Sequence, residues 1–266
     1  MIKLIVTDLD GTLLDKDRQL RPEFWTLEQK LADHNILFAV ASGRQYFNLL
    51  DLFERAKDRI LFLAEDGTYI VYKGEELRLM PMKEPAVCNI IDQARTLENV
   101  HIVLCGKNSA YVEDSDEDFL QEARKYYKKI ALVDDLKYVQ DTFLKITLCD
   151  FNGAEKNSLQ HFKDQNDSFN VALAGEIWLD LTGVSAHKGT AITFIQDLFD
   201  ISPEETLVFG DFLNDKDMMP VATHSYAMQN AEPELKEAAR HVTEKDNDKQ
   251  GVIDIIYKLC FPDESH

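Results

Sequence analysis

The chain has 266 residues, of which 48 are acidic and 29 are basic, so that its formal net charge is −19. A polyanion of this kind repels nucleic acids and anionic membrane surfaces, which excludes both as partners. Hydrophobic residues make up 45% of the chain, as in an ordinary globular protein, and this excludes a disordered or fibrous class. The composition carries no prediction of the oligomeric state.

The N-terminal segment and the cysteines predict a cytoplasmic protein. Residues 2–7 form a short apolar run that ends at two carboxylates, which is typical of a buried strand rather than a secretion signal. No stretch approaches the ~20 apolar residues of a membrane-spanning helix. The four cysteines lie far apart without a CxxC pair, which favours isolated thiols in a reducing compartment over a zinc site or a disulfide framework.

Predicted strands and helices alternate in the first and last parts of the chain. Apolar runs predict strands at residues 2–7, 36–41 and 60–64, followed by a hairpin at residues 69–80. Helices are predicted to begin at Pro22 and near Tyr46. In the last part, helices are predicted at residues 188–199, after Asn214 and at residues 251–259, with strands at residues 206–210 and 224–228. This alternation predicts βαβ units, and therefore an α/β fold with a doubly wound parallel sheet.

The middle of the chain has a different pattern. Pro81 and Pro85 precede predicted strands at residues 100–104, 111–112, 143–148, 169–173 and 177–181, which are separated by helical patterns at residues 118–127 and 155–162. An inserted α+β domain explains this change. We therefore predict a core of residues 1–82 and 183–266 and a cap domain of residues 83–182.

The strongest chemical pattern is the pair Asp8 and Asp10, which comes directly after the first predicted strand and is followed by Gly11 and Thr12. Ligands of open α/β sheets bind at the carboxyl ends of the strands, where both carboxylates would reach one crevice. An ionised Asp is a nucleophile toward phosphorus, and a neighbouring carboxylic acid can protonate the leaving oxygen. The alternative is a solvated turn after a strand.

Two weaker patterns lie after the second strand and at the start of a late helix. Ser42 and Gly43 can bind a phosphoryl oxygen through the hydroxyl group and the loop amides, or can simply cap a helix. Lys188 can offer its ammonium group to a phosphate oxygen, although an isolated lysine is most often a surface residue. We interpret the preceding His187 as incidental rather than as an acid–base group.

A second acidic loop follows the predicted strand at residues 206–210. Asp211, Asn214 and Asp215 offer hard oxygen ligands of the kind that suit Mg²⁺, and the alternative is a helix cap built from Asp211 and Asn214. Each of the four patterns lies at the end of a predicted strand or at the start of a helix. We therefore expect all four to converge on one edge of one sheet.

These four motifs, spread over the whole chain, resemble those of the haloacid dehalogenase-like phosphatase superfamily, in particular its Cof-type branch with a large cap between the second and third motifs. The resemblance implies a Rossmann-like core and a Mg²⁺-dependent enzyme. It implies that Asp8 is the nucleophile, that Asp10 is the general acid and base, and that Lys188 completes the catalytic set. The implied metal set is Asp8, Asp10 through its backbone carbonyl, Asp211 and Asp215, which would also orient the lysine. The implied phosphate-binding set is Gly11, Thr12, Ser42, Gly43, Lys188 and Asn214.

The chain departs from this family pattern at two places. Asp66-Gly67, preceded by Glu65, stands where the branch usually has Asn-Gly, and Ser185-Ala186-His187 precedes the lysine where a glycine and a valine are common. An extra carboxylate at Asp66 would alter the choice of substrate, and we leave Asp66 out of the predicted site.

The leading functional hypothesis is hydrolysis of small phosphorylated metabolites, in particular sugar phosphates. A phosphomutase with the same nucleophile and a catalytically silent sensor of phosphate ligands are the alternatives. The intact Asp8 and Asp10 argue against the sensor, which needs neither a nucleophile nor an acid. In the cap, Lys145, Glu176 and Trp178 are candidates for contacts to the leaving group and are equally well explained as residues on strand faces.

Overall fold

The computed structural model describes residues 1–165 and 168–262. The predicted cap range also contains residues 166–167 and the predicted core range contains residues 263–266, which lie outside the described residues. Among the helices of the described residues, none combines the length and the apolar composition that crossing a membrane requires.

The described residues contain fourteen strands and eight α-helices. The strands are β1 (Leu4–Thr7), β2 (Leu37–Ala41), β3 (Ile60–Ala64), β4 (Tyr69–Tyr72), β5 (Glu75–Leu79), β6 (Val100–Gly106), β7 (Ala110–Val112), β8 (Ile130–Leu132), β9 (Phe143–Asp150), β10 (Asn170–Leu173), β11 (Trp178–Thr182), β12 (Thr206–Gly210), β13 (His224–Ala227) and β14 (His241–Val242). The helices are α1 (Pro22–Asp33), α2 (Tyr46–Leu52), α3 (Glu84–Ala94), α4 (Glu117–Ala123), α5 (Ser158–Phe162), α6 (Lys188–Phe199), α7 (Pro233–Ala238) and α8 (Gly251–Cys260).

The first sheet has the order β14-β13-β12-β1-β2-β3-β4-β5. The strands from β14 to β3 are parallel, while β4 and β5 form the predicted hairpin and extend the sheet as an antiparallel edge. β1 and β12 are buried along their whole length, as expected for apolar strands covered on both faces. The predicted α/β fold is confirmed, and the carboxyl ends of β12, β1 and β2 lie side by side.

The second sheet has the order β10-β11-β9-β6-β7-β8 and is antiparallel except between β7 and β8. One face is apolar and packs against α3 and α5 through residues such as Ile146 and Leu179. Because side chains alternate along a strand, Lys145, Thr147 and Asp180 lie on the opposite face, where all three are buried. All six strands lie within the predicted cap range, whose limits stay a prediction.

Several short elements are absent from the sequence-based prediction. The prediction did not include α3. Pro85 occupies its first turn, where the backbone N–H that proline lacks would have no partner within the helix. The helix predicted at residues 118–127 ends at Ala123, which leaves Tyr126 and Tyr127 in the loop that follows. α7, β8 and β14 are too short for a periodic pattern to identify them.

Candidate active site

The ammonium group of Lys188 lies between two carboxylates that follow neighbouring strands of the first sheet. Asp8 follows β1, and its Oδ1 accepts a hydrogen bond of 2.7 Å from Nζ of Lys188, the first residue of α6. The same ammonium group donates to Oδ1 of Asp215 at 2.7 Å. Lys188 is only 1% exposed, and the two carboxylates raise its pKa although burial lowers it. The predicted surface alternative for Lys188 is therefore wrong.

Asp215 shapes the loop that follows β12. Its Oδ2 accepts hydrogen bonds from the backbone N–H groups of Asp211 at 2.9 Å and Phe212 at 3.3 Å. A Cβ atom on Gly210 would lie 2.6 Å from Cβ of Asp215, so only glycine allows this close approach. The carboxylate of Asp215 thus orients both the lysine and the loop.

The turn after β1 contacts the same loop. Oγ1 of Thr12 donates to Oδ1 of Asp211 at 2.9 Å. Gly11 has a φ of 80°, and a Cβ atom at this position would clash with Oδ2 of Asp211. The predicted phosphate-binding residues Gly11 and Thr12 therefore lie directly against the predicted metal ligand.

The carboxylates of Asp8, Asp211 and Asp215 form a cluster that fits a metal ion. Each offers an oxygen atom within 4.8 Å of the others. Burial, together with the charge of Asp215, raises the pKa of Asp211 to about 7 and the pKa of Asp8 well above its usual value. One ammonium group does not compensate three carboxylates, whereas a divalent cation would. A set of hard oxygen donors of this kind suits Mg²⁺.

Asp10 lies outside this cluster. Its carboxylate accepts two hydrogen bonds from Arg44, of 2.7 Å from Nε and 2.6 Å from Nη2, in the bidentate geometry of strong Arg–carboxylate pairs. Nε of Arg18 is 3.9 Å away. Arg44 belongs to the same sequence motif as Ser42 and Gly43, but no role was predicted for it. Its position directly after Ser42 and Gly43 could have indicated one.

The remaining predicted phosphate-binding residues lie around Asp66. Ser42 is buried, and its Oγ accepts the backbone N–H of Arg44 at 3.2 Å. A Cβ atom on Gly43 would lie 3.2 Å from both carboxylate oxygens of Asp66. Nδ2 of Asn214 donates to Oδ1 of Asp66 at 3.3 Å. Asp66, which the prediction left out, is therefore at the centre of this group.

A cavity lies between these carboxylates and the second sheet. On its core side it is lined by Asp8, Asp10, Ser42, Gly43, Arg44, Asp211, Phe212 and Asn214, and on its other side by Tyr126, Tyr127, Lys145, Thr147, Ala174, Trp178 and Asp180. Of the three candidates in the predicted cap, Lys145 and Trp178 line this cavity, whereas Glu176 is exposed and lines a different one.

His187 has a structural role. It precedes α6, and its Nδ1 accepts the backbone N–H of Thr190 at 3.3 Å, while Thr190 Oγ1 accepts the backbone N–H of His187 at 3.2 Å. This reciprocal pair caps the helix that begins with Lys188. His187 therefore helps to fix the orientation of the catalytic candidate that follows it.

Comparison with known proteins agrees with this fold and identifies the family. The haloacid dehalogenase-like hydrolase family matches residues 5–256, and the chain belongs to this family. The 5-amino-6-(5-phospho-D-ribitylamino)uracil phosphatase YbjI of Escherichia coli is 32% identical over 264 residues, which cover 97% of this chain and 96% of the relative. The phosphatase YwtE of Bacillus subtilis, named for the same substrate, is 26% identical over 288 residues, which cover 97% and 98%.

A solved structure shows the same fold. The crystal structure of SMU.1108c from Streptococcus mutans superposes with a TM-score of 0.91 at 26% identity and covers 98% of this chain and 99% of that one. The predicted enzyme class, a phosphoric monoester hydrolase, is confirmed by the family and by its named phosphatases.

Proposed function

We propose that this enzyme is a Mg²⁺-dependent phosphatase that hydrolyses small phosphate monoesters, in particular sugar phosphates, through an aspartyl phosphate on Asp8. One observation carries the proposal. The carboxylate of Asp8 lines the cavity, is held by Lys188 at 2.7 Å, and lies within 4.8 Å of carboxylate oxygens of Asp211 and Asp215. This arrangement supports Asp8 as a nucleophile that lies between an ammonium group and carboxylates able to bind a divalent cation.

The residues around Asp8 support a two-step reaction. A carboxylate oxygen of Asp8 attacks phosphorus, the bond to the leaving oxygen breaks, and Asp10 gives its proton to that oxygen. Asp10 then takes a proton from a water molecule, which attacks the phosphorus, releases inorganic phosphate and regenerates Asp8. Arg44 holds the carboxylate of Asp10 by two hydrogen bonds and thereby fixes its orientation at the cavity. Lys188 binds a phosphoryl oxygen together with Ser42.

Asp8, Asp211 and the backbone carbonyl of Asp10 would hold Mg²⁺, with Asp215 close by. When bound, the ion supplies positive charge that offsets the repulsion between these carboxylates and an anionic substrate. The hydrogen bonds of Asp215 to Lys188 and to the backbone of Asp211 keep the site assembled.

The lining of the cavity supports a leaving group that has both polar and apolar parts. Thr147 and Asp180 are polar, while Tyr126 and Trp178 form an aromatic pair with ring centroids 5.4 Å apart. The Escherichia coli and Bacillus subtilis relatives are named for a phosphorylated ribityl chain attached to a uracil ring.

A screen of phosphate release should therefore include this compound beside sugar phosphates, nucleotides and an aryl phosphate. Absence of release from every ester would contradict the proposal, and a requirement for a bisphosphate activator would indicate a mutase.

The substitution Asp10→Asn is expected to lower turnover of alkyl phosphates by about 10²–10⁴-fold, because the amide cannot protonate a basic leaving oxygen. The loss should be smaller for an aryl phosphate, whose phenolate leaves without a proton. The measurement is kcat for both substrates in the wild type and the variant. An equal loss for both would contradict the role of Asp10 as the general acid.

Removal of divalent cations with EDTA is expected to lower phosphate release at least about 100-fold, and added Mg²⁺ should restore it. Mg²⁺ should also raise the Tm of the wild type, because an ion that binds only the folded state stabilises it. The same shift should be reduced in Asp211→Asn. Unchanged activity and Tm in EDTA would refute the metal requirement.

A further inference from the structure

Lys145 lies on β9 of the second sheet, and its ammonium group contacts the loops that follow β2 and β3 of the first sheet. Its Nζ donates three hydrogen bonds, to the backbone carbonyl of Gly43 at 2.8 Å, to Oδ2 of Asp66 at 2.9 Å and to Oδ2 of Asp180 at 3.0 Å. An ammonium group has three N–H donors, so all three are used. The side chain is 1% exposed.

The first two of these contacts reach residues that shape the phosphate pocket. Gly43 follows Ser42, so a hydrogen bond to its carbonyl fixes the loop that presents the serine hydroxyl. Asp66 also accepts Nδ2 of Asn214 at 3.3 Å and thereby links the loop after β3 to the loop after β12. Lys145 therefore holds two of the core loops at once through hydrogen bonds to charged or strongly polar groups.

The charges of the core require such a partner. Glu65 and Asp66 are both buried, and both carboxylate oxygens of Glu65 lack a hydrogen-bond partner among the described residues. The nearest cation to Glu65 is Lys145, with Nζ 3.4 Å from Oε2. Without Lys145, two adjacent buried carboxylates would have no cation within ion-pair distance among the described residues. Burying them is favourable only together with an opposite charge.

We propose that Lys145 is a positioning residue for phosphoryl transfer. Although it lines the cavity, its three N–H donors are bonded to protein atoms, so that it organises the phosphate pocket through Gly43 and Asp66 rather than by binding the substrate. The inference rests on the proposed function. It also explains why an aspartate replaces the asparagine expected at position 66, since Asp66 provides the negative charge that the buried ammonium group needs. Asp180 and Thr147 complete this arrangement from the side of the second sheet, because Thr147 Oγ1 donates to Oδ1 of Asp180 at 2.6 Å.

Orthovanadate provides the decisive probe, because it occupies the phosphate site and carries no leaving group. Lys145→Met is expected to weaken inhibition by orthovanadate about tenfold or more, the size of effect typical of losing hydrogen bonds to a charged group. The matched control Lys156→Met removes an exposed lysine from the same part of the chain and should leave inhibition unchanged. A residue that contacts only the leaving group, or only holds the cap against the core, would change KM for substrates and leave orthovanadate inhibition at the wild-type value. That result would overturn the proposal.

A double-mutant cycle tests the link to Asp66. Asp66→Asn should weaken orthovanadate inhibition less than Lys145→Met, and the double variant should be no weaker than Lys145→Met alone, because both substitutions disrupt one contact. A loss in the double variant equal to the product of the two single losses would contradict the link.

If circular dichroism shows that Lys145→Met does not fold, Lys145→Gln replaces it. The glutamine keeps a donor for the carbonyl of Gly43, and weaker inhibition by orthovanadate is again expected. Failure of the wild type to bind orthovanadate would instead refute the proposed function.

Discussion

Replacing the proposed nucleophile, Asp8→Asn, is expected to reduce phosphate release by a factor on the order of 10⁴ or more, as for catalytic nucleophiles in general. The amide cannot form the aspartyl phosphate, and the remaining side chains only bind the substrate. The fold should persist, because the amide has the same shape and removes one charge from a cluster in which burial and Asp215 already raise the pKa of Asp8. The Tm is therefore expected to stay equal or to rise.

The measurement combines steady-state phosphate release with thermal unfolding and acid-quenched labelling of the protein by a radioactive phosphate ester. Asp17→Asn, which changes an exposed aspartate of the same segment, is the matched control and should behave as the wild type. Label should accumulate on the wild type and not on Asp8→Asn. Turnover by Asp8→Asn close to that of the wild type would rule out the covalent route.

The substitution Lys188→Met is expected to have a large effect on stability as well as on turnover. It leaves Asp8 and Asp215 buried without their shared ammonium group, and breaking a buried ion pair in this way costs about 3–5 kcal/mol. Turnover should fall about 10²–10³-fold, because a donor to the phosphoryl oxygen is lost. Denaturant unfolding in EDTA measures the first effect, and phosphate release in Mg²⁺ measures the second.

The loss of stability in Lys188→Met should depend on pH with a definite sign. In the folded state the pKa of Asp8 is raised above its unfolded value, and removing Lys188 raises it further. Such a carboxyl binds its proton more tightly when folded, so the destabilisation is greatest at high pH and shrinks as the pH falls through the raised pKa. Lys216→Met, an exposed lysine of the loop after β12, is the control and should show neither effect. A pH-independent loss would contradict uncompensated carboxylates as its cause.

The sequence alone predicted the elements that carry the strongest patterns. β1 and β12 are continuous apolar runs because both of their faces are covered, and such runs are visible without a structure. Since parallel neighbours end at the same edge, the carboxylates that follow these two strands were expected to meet, and Asp8 and Asp211 do. Lys188 was identified because it begins a helix whose position the apolar pattern located correctly.

Contacts across the two sheets could not be predicted in the same way. The period of a strand places Lys145 and Asp180 on one face of the second sheet, but nothing local indicates that this face covers the core. The hydrogen bond between Lys145 and Asp66 joins residues 79 positions apart, and that between Lys145 and Gly43 joins residues 102 positions apart. Asp66 was accordingly interpreted as an extra charge that would alter the choice of substrate, and its partner Lys145 became visible only in the fold.

The sequence by itself determined the class of fold and the sheet edge at which the acidic residues of the proposed site meet, because each depends on a pattern within a few residues of one strand. Only the tertiary structure decided what surrounds those residues. Arg44 on Asp10, and Lys145 between Asp66 and Asp180, are pairings between distant segments. A charged group that packing removes from water is stable only beside an opposite charge, and this requirement arises only once the chain is folded.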